Sequence, residues 1–309
     1  MNQYMPAQRS QPKIMAITLA WVSGPRYTLC PMGRPKKKRK PKKSPLTAST
    51  ADRHVLYALS VQNVEAEIDF VEETYQKLRG KPATILREDF CGTSNTACEW
   101  IRRRETNRAI GVDLDRETLD WAREQNLSKL TPEQRERIVL LERNVLAPGS
   151  EGAGVDIVLA MNFSYWILKE RAQLIEYFKT VRDSLADGGM FILDHYGGSD
   201  ALSETEEERE MEGFSYIWDQ DSYNSITGEM TCYIHFVFPD GTKMKRAFAY
   251  HWRHYTLPEV RDMLTEAGFA KVTVYWEGED EDGEGNGEFS PTEKGDADPA
   301  FITYIVAEK

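Results

Sequence analysis

The composition of the 309-residue chain, 40% hydrophobic and 29% charged, is that of a soluble globular protein that can bury one large core or two modest ones. The net charge of −11 is unevenly placed: residues 1–43 carry +11 and contain no acid, so residues 44–309 carry −22. A folded part this acidic is a poor partner for nucleic acid, because the affinity of such binding comes mainly from basic side chains that neutralise the phosphates.

Residues 1–50 are predicted to form a disordered basic tail. Pro35–Lys40 is similar to a nuclear-localisation hexamer, but the favoured interpretation is a solvated basic run that contacts RNA or anionic surfaces only weakly. Ile14–Val22 has roughly half the length needed to span a bilayer, and no membrane contact is expected. Met32 is an alternative candidate for the true start of the protein.

The cysteines indicate a reducing compartment. The four of them, Cys30, Cys91, Cys98 and Cys232, are scattered and form no CxxC pair. This spacing argues against a zinc site or a disulfide scaffold. We therefore expect a cytoplasmic protein without a metal site.

The first predicted elements are two helices, Ala51–Leu59 and Val64–Leu78, the second ended by Gly80. Alternating strands and helices follow. The predicted strands are Ala83–Arg87, Ala109–Asp113, Ile138–Leu141, Val155–Met161 and Met190–Asp194. The helices between them include Asn95–Arg104, Arg116–Glu124 and a segment that runs from about residue 167 to Leu185, followed by a turn at Asp187-Gly188-Gly189. This rhythm is typical of a doubly wound α/β sheet.

The rhythm changes after His195. Ser203–Glu212 is predicted as an acidic helix, and a set of antiparallel strands follows: Phe214–Trp218, Met230–Phe238 and Lys243–His251. A capped helix from Thr256 to Gly268 precedes the last two strands, Ala270–Trp276 and Phe301–Val306. Glu277–Glu288, rich in acids and glycines, is predicted to be a mobile hairpin loop. The predicted fold is a mostly parallel seven-stranded sheet with an antiparallel insertion after the fifth strand.

The stretch Glu88-Asp89-Phe90-Cys91-Gly92-Thr93-Ser94 links the first strand to a helix. Ligands of open α/β sheets bind at such carboxyl ends of strands. A dinucleotide-binding loop would need G-x-G-x-x-G, and only Gly92 is present, so a nicotinamide enzyme is disfavoured.

This stretch resembles the first motif of class I S-adenosylmethionine-dependent methyltransferases, in which an acid is followed by x-G-x-G-x-G. Glu88 takes the position of the acid, and Phe90, Gly92 and Ser94 take those of the three glycines. Asp89-Phe90-Cys91-Gly92-Thr93 is similar to the D-P-F-x-G-[ST]-G variant of the motif. The resemblance covers about Ala51–Lys309 and implies a Rossmann-like methyltransferase fold for residues 51–309, with inserted strands at about 214–251 that cover the substrate.

The resemblance implies S-adenosylmethionine as the cofactor and assigns it a set of binding residues. Glu88 and the backbone at Gly92 and Thr93 would hold the methionine part, with Phe90 in the same loop. Asp113 would accept both ribose hydroxyls, since it ends the second strand and Asp115 is free to cap the next helix. The adenine would be contacted by Leu114, Asn144 and Val145. The methionine end would be lined by Asn162. For Asn144, an ordinary turn residue is an equally good interpretation.

Candidates for the acceptor site come from strand ends and from the insertion. His195, Tyr196 and His254 are the candidates for catalysis, and His195 is expected to reach the cleft because it follows the fifth strand. Tyr57, Tyr165, Tyr250 and Arg253 are the candidates for substrate binding, and Tyr57 belongs to a possible lid.

The predicted function is methyl transfer to an N or O nucleophile of a small molecule. Two alternatives stay open: an RNA or protein methyltransferase guided by the basic tail, and an inactive regulatory protein that binds S-adenosylmethionine. Asn162-Phe163-Ser164-Tyr165 is also similar to the N-P-P-Y signature of enzymes that methylate exocyclic or side-chain amines, but it lacks both prolines.

Overall fold

The computed structural model describes residues 46–280 and 285–309. The predicted hexamer, the alternative start at Met32 and nearly all of the basic tail lie outside the described residues. Among the helices that are described, none is long and apolar enough to cross a membrane.

Seven α-helices lie within the described ranges, and polar side chains cap several of them. Asp52, Asn63, Asp115 and Thr131 each accept a backbone N–H at a helix start. Gly80 ends the second helix with a left-handed φ of 70°, as predicted. The helices are α1 (Arg53–Ser60), α2 (Val64–Arg79), α3 (Asn95–Arg103), α4 (Arg116–Gln125), α5 (Pro132–Arg135), α6 (Arg171–Ser184) and α7 (Leu257–Glu266).

Twelve strands form two sheets in the part of the chain that is described. The strands are β1 (Ile85–Asp89), β2 (Arg108–Asp113), β3 (Ile138–Glu142), β4 (Val155–Ala160), β5 (Leu185–Gly197), β6 (Thr205–Met211), β7 (Phe214–Tyr223), β8 (Glu229–Val237), β9 (Lys243–Arg253), β10 (Lys271–Glu279), β11 (Gly285–Thr292) and β12 (Phe301–Glu308). The larger sheet has the order β11-β10-β12-β5-β4-β1-β2-β3, parallel from β5 to β3 and antiparallel from β5 to β11. The doubly wound, mostly parallel sheet is therefore confirmed.

The eighth strand of this sheet, β11, replaces part of the loop predicted over Glu277–Glu288. β11 pairs with β10, and its Phe289 packs against Tyr304, with ring centroids 4.5 Å apart, and against Phe70. One apolar anchor therefore holds an otherwise acidic, glycine-rich segment in the sheet.

The smaller sheet has the order β6-β7-β8-β9 and is antiparallel throughout, which confirms the predicted insertion and extends it to residues 205–253. The predicted helix over Ser203–Glu212 is wrong, because this segment forms the edge strand β6. Exposure alternates along β6, with Glu207 and Arg209 less exposed than Glu208. Pairing with β7 thus outweighs the helix preference of a glutamate-rich sequence.

Two further boundaries differ from the prediction. The predicted turn at Asp187-Gly188-Gly189 lies inside β5, where Gly188 has a φ of 75° and the pairing with β4 shifts register. The helix expected after β4 starts only at Arg171, after a short 3-10 turn at Ser164–Ile167.

The core lies on both faces of the larger sheet. Alternate residues of β4 point to opposite sides: Val158 and Ala160 join the cluster with α6 and α7, while Ile157 and Leu159 join the cluster with α2 and α3. A strand buried on both faces was predicted from its continuous apolar run and is confirmed. A third cluster lies between α1 and the smaller sheet and includes Leu56.

Candidate active site

The loop between β1 and α3 has a left-handed backbone at alternate positions. Phe90, Gly92 and Ser94 have φ values of 55°, 47° and 54°. Only glycine adopts such values without a steric cost, and other residues lose roughly 1–2 kcal/mol there. These are the positions at which the sequence resemblance places three glycines, so the loop retains their conformation although two of them are replaced.

Side-chain contacts accompany the two replacements. The ring of Phe90 packs against Tyr177 with centroids 5.6 Å apart, and the Ser94 hydroxyl donates to the Cys91 sulfur at 3.3 Å. The Cys91 thiol and Ser94 are buried against β2 at Gly111, where a Cβ atom would come within 2.8 Å of the sulfur. The loop is therefore packed tightly onto the second strand.

Glu88 holds the start of α3. Its Oε2 accepts the Ala97 N–H at 3.0 Å, whereas Ser94, which precedes the helix, makes no side-chain cap. Burial, together with the nearby charges of Glu67 and Asp113, raises the pKa of Glu88 to about 8. The carboxyl predicted to face the methionine part of the cofactor thus lies buried among other acids.

Asp113 ends β2 and contacts the loop directly. Its carboxylate accepts the Gly92 N–H at 2.7 Å and the Asp115 N–H at 2.9 Å. Asp115 caps α4 by accepting the Thr118 N–H at 3.2 Å, so Asp113 is not the helix cap. The next residue, Leu114, is 66% exposed, an unusual position for a large apolar side chain.

Asn144 and Val145 follow β3, one strand further along the same edge. The Asn144 side chain accepts the Leu146 N–H at 2.9 Å, which is the turn contact that sequence interpretation left open for it. Val145 is buried. The predicted cofactor residues therefore lie after β1, β2 and β3, with Asn162 after β4, and these four strands are adjacent in the sheet.

A pocket lies between the larger sheet and the smaller sheet. It is bounded by residues of α1, α2, the turn after β4, β5, β12 and all four strands of the smaller sheet. Glu67 in its wall accepts a hydrogen bond from Thr96, in the first turn of α3, so the pocket adjoins the loop after β1. Its aromatic lining residues are Tyr57, Phe163, Tyr196, Tyr216, Trp218, Tyr250, Trp252 and Tyr304.

Two buried carboxyl groups, Glu67 and Asp194, face this pocket. Asp194 accepts the N–H groups of Asn162 and Phe163 at 2.8 and 2.9 Å, and both of these residues have left-handed φ values. Burial raises the pKa of each carboxyl to about 7, and for Glu67 the charge of Asp194 adds to the effect. Both groups therefore titrate near neutral pH.

Four of the predicted residues line the pocket: Tyr57, Asn162, Tyr196 and Tyr250. The expectation that His195 reaches the cleft is wrong. Successive residues of a strand point to opposite faces, so His195 lies behind the sheet when Tyr196 lies in front of it. His195 is fully buried, bonded through Nδ1 to the Tyr165 hydroxyl at 3.0 Å, and burial lowers its pKa to about 3.

Tyr165, His254 and Arg253 also lie outside the pocket lining. Tyr165 is fully buried with His195, and the His254 ring bonds the Tyr196 carbonyl at 3.3 Å. The Arg253 guanidinium donates to the Lys169 carbonyl and lies over the Tyr255 ring. Each of these side chains makes a structural contact, and the structure does not bring them together with the predicted residues that line the pocket.

Sequence interpretation missed Asp194 and Glu67. The signal for Asp194 was present, because a strand that places Tyr196 in the cleft must place the residue two positions earlier on the same face. Glu67 carried no such signal, since it lies in an ordinary amphipathic helix whose orientation is set by tertiary packing.

Comparison of the sequence with family models and with curated proteins finds no match. Among solved structures, a S-adenosylmethionine-dependent methyltransferase from Clostridium acetobutylicum is similar, with a TM-score of 0.61 and 17% identity over 82% of this chain and 96% of that chain. The amino pentose methyltransferase of Micromonospora echinaspora gives a TM-score of 0.59 and 15% identity over 82% of this chain and 95% of that chain.

A sugar N-methyltransferase from Streptoalloteichus gives a TM-score of 0.56 and 15% identity, covering 91% of this chain and 99% of that chain. The chain therefore has the fold of class I S-adenosylmethionine-dependent methyltransferases, as its sequence predicts.

Proposed function

We propose that the protein is an enzyme that transfers a methyl group from S-adenosylmethionine to an N or O nucleophile of a small-molecule acceptor by in-line displacement. The observation that carries this proposal is the loop after β1. It keeps three left-handed residues, Phe90, Gly92 and Ser94, between a buried acid and a helix start, and it adjoins a pocket.

The residues at this edge of the sheet fit the cofactor. Asp113 presents an acceptor-only carboxylate for the two ribose hydroxyls, and the exposed Leu114 beside it offers an apolar surface for adenine. Asn144 and Val145 would contact the adenine edge, and Thr93 and Glu88 the methionine part. Bound there, the cofactor supplies a methyl group that its sulfonium already activates.

The chain's own residues position the reactants and exclude water. Asn162 lines the pocket, and Asp194 fixes its backbone. The aromatic side chains of the smaller sheet close the acceptor space from the opposite side. Holding two reactants in line supplies about 7–11 kcal/mol of barrier reduction, so positioning is the main contribution expected of this site.

A small acceptor fits the location of the pocket and the charge of the chain. The pocket lies between two sheets, and residues 44–309 carry −22, which disfavours RNA. Two of the similar structures are those of an amino pentose methyltransferase and a sugar N-methyltransferase. We propose a cytoplasmic enzyme of small-molecule metabolism.

Calorimetry with S-adenosylmethionine tests the cofactor site. We expect Asp113→Ala to weaken binding about tenfold or more, because two hydrogen bonds to a charged group are removed. Asp120→Ala is the matched control, since Asp120 is an exposed carboxylate on α4 that pairs only with Arg116 and Arg123 among the described residues. Equal affinity of Asp113→Ala and the unchanged protein would overturn the assignment of Asp113.

Turnover is measured as S-adenosylhomocysteine released with a small-molecule metabolite extract. Binding without release across such a panel would favour the inactive regulatory alternative. Loss of all turnover after deletion of residues 1–43 would favour an RNA or protein acceptor guided by the basic tail.

A further inference from the structure

We propose that the acceptor of this site is an amine that arrives as a cation, is bound between the aromatic rings and the carboxyl groups of the pocket, and gives its proton to Asp194. The inference rests on the proposed methyl transfer and adds the chemical class of the acceptor.

The charge of the pocket favours a cation. Three acidic residues on its walls, Glu67, Asp194 and Glu207, stand against the single guanidinium of Arg209, while Glu208 lies on the exposed face of β6. This guanidinium is already engaged, since it donates to the Ser60 carbonyl and lies 5.0 Å over the ring of Tyr216. A carboxylate or phosphate acceptor would be repelled here, whereas an ammonium group is attracted.

The aromatic wall also suits a cation with an apolar body. Tyr250 stacks on Trp252 with ring centroids 4.4 Å apart, and Trp218 lies within 6.3 Å of both. Phe163 extends this group of rings to the opposite side of the pocket, with its centroid 6.4 Å from that of Trp252. A cation over such ring faces gains about 0.5–2 kcal/mol per contact, while the ring surfaces accept apolar groups.

The hydroxyl of Tyr196 points to a polar ligand. Tyr196 lines the pocket and is only 3% exposed, and its hydroxyl has no hydrogen-bond partner among the described residues. A buried polar group left without a partner costs about 1–3 kcal/mol, so a ligand group that bonds it is favoured. Tyr196 lies two residues after Asp194 on β5, and both side chains are on the same face. A phenol oxygen and a carboxylate therefore converge on one side of the pocket.

The reaction is balanced with a carboxylate as the base. The Asp194 carboxylate takes one proton from the ammonium, which frees the lone pair on nitrogen. The nitrogen then bonds the methyl carbon as the carbon–sulfur bond breaks, and the electron pair of that bond stays on sulfur, which becomes a neutral thioether. The product leaves as a methylated ammonium, and the proton on Asp194 passes to solvent. An alcohol needs a far stronger base in this position, so the pocket favours nitrogen over oxygen.

Intrinsic tryptophan fluorescence, to which Trp218 and Trp252 in the pocket lining contribute, reports on binding. The full-length protein, saturated with S-adenosylhomocysteine, is titrated with cyclohexylamine, cyclohexanol and cyclohexanecarboxylate as matched probes. We expect the amine to bind at least tenfold more tightly than either other probe. Equal or tighter binding of the alcohol or the carboxylate would overturn the proposal.

Variants separate the individual contacts. Tyr196→Phe removes only the unpartnered hydroxyl, and it should weaken cyclohexylamine binding about fivefold without lowering the melting temperature. Tyr233→Phe is the control, because Tyr233 lies on β8 outside the pocket lining. This variant should bind the amine with unchanged affinity. Unchanged amine affinity in Tyr196→Phe would contradict the role of the hydroxyl.

Asp194→Asn tests the base. This variant should lose turnover of cyclohexylamine, measured as S-adenosylhomocysteine release, by at least a hundredfold. Because Asp194 also holds the turn at residues 162–163, circular dichroism and cofactor binding are measured on the same sample. A folded, cofactor-binding variant with full turnover would refute the role of Asp194. Failure of the unchanged protein to bind S-adenosylmethionine would instead refute the proposed function itself.

Discussion

Ser94 is buried and has a left-handed backbone at a position where the resemblance places glycine. We expect Ser94→Gly to be more stable than Ser94→Ala by about 1 kcal/mol, because only glycine lacks the steric cost of this conformation. Urea unfolding measures the difference. At the exposed helical residue Thr265 the order should reverse, with alanine more stable than glycine by about 1 kcal/mol. The same order at both positions would show that the loop is not held as described.

The buried acid Glu88 makes stability depend on pH. Its folded-state pKa, about 8, lies above the ordinary value of 4.5 because of burial, so the stability that its protonated form contributes is complete at low pH and is lost as the pH rises through 8. Glu67, Thr96 and Asp113 face the same group. Glu88→Gln should therefore gain stability relative to the unchanged protein between pH 6 and pH 9.

Chemical unfolding at pH 6, 7, 8 and 9 measures this gain, with Glu142→Gln as the exposed control that should show none. A gain that shrinks as the pH rises would contradict the assigned direction of the pKa shift. Since S-adenosylmethionine is cationic, its binding should tighten over the same pH range in the unchanged protein.

At the scale of single residues, the sequence predicts which residues lie at strand ends and turns better than it predicts which side chains meet. Asp113 and Gly92 could be located because strand ends and glycine turns leave local patterns. His195 and Tyr196 were predicted together, although only one face of a strand can meet the pocket. Which face that is depends on the register of β5 against β12, and this pairing is separated by about a hundred residues in sequence.

At the scale of elements, α1 connects the two halves of the site. The Trp121 indole on α4 donates to Asp52 at 2.8 Å and lies 5.0 Å from the ring of His54, while Arg53 lies over Phe248 on β9. Tyr57, on the same helix, lines the pocket. The helix thus bridges α4 and the pocket.

Trp121→Phe should loosen this helix, because it removes the hydrogen bond to Asp52 and keeps an aromatic ring. We expect faster amide hydrogen exchange across residues 53–60 and little change in α7, measured by mass spectrometry. Trp276→Phe, on β10, is the control and should leave the exchange of α1 unaltered. Unchanged exchange of α1 in Trp121→Phe would show that the Asp52 contact does not hold the helix.

The elements that sequence reasoning misjudged are strands at sheet edges. β6 and β11 are rich in glutamate or glycine, which oppose strand formation, and each pairs with one neighbour only. Their conformation is set by pairing with β7 and β10, which a local pattern cannot reveal. The central strands, by contrast, carry their own apolar signal, and the predicted bounds of β1 to β4 lie within two residues of the observed ones, whereas β5 starts five residues earlier than predicted.

At the scale of the whole molecule, the strand and helix rhythm was sufficient to predict the doubly wound sheet and its insertion. It was not sufficient to predict the pocket, because the pocket is formed where two sheets and two helices meet. Each of these sheets and helices is amphipathic, and the sequence does not show which of their residues face each other across the pocket.

Cofactor binding should stabilise the entire folded domain. With S-adenosylmethionine at a hundred times its dissociation constant, mass action adds about 2.7 kcal/mol to the free energy of unfolding, which corresponds to a rise in melting temperature of about 5 °C or more. Differential scanning fluorimetry measures the shift. Asp113→Ala at the same cofactor concentration should shift less, and an equal shift would indicate that the cofactor binds elsewhere.

The carboxylate of Asp194 meets both the backbone of residues 162–163 and the pocket, and this double use constrains how the protein can evolve. Substitutions at Trp252 or Trp218 leave both hydrogen bonds between Asp194 and this turn in place, so we expect the proposed acceptor site to change there by single steps. Replacing Asp194 removes the hydrogen bonds to two left-handed residues at once, so we expect the change to cost less stability when Asn162 and Phe163 are glycines. We therefore expect the shape of the proposed acceptor site to vary more readily than the identity of residue 194.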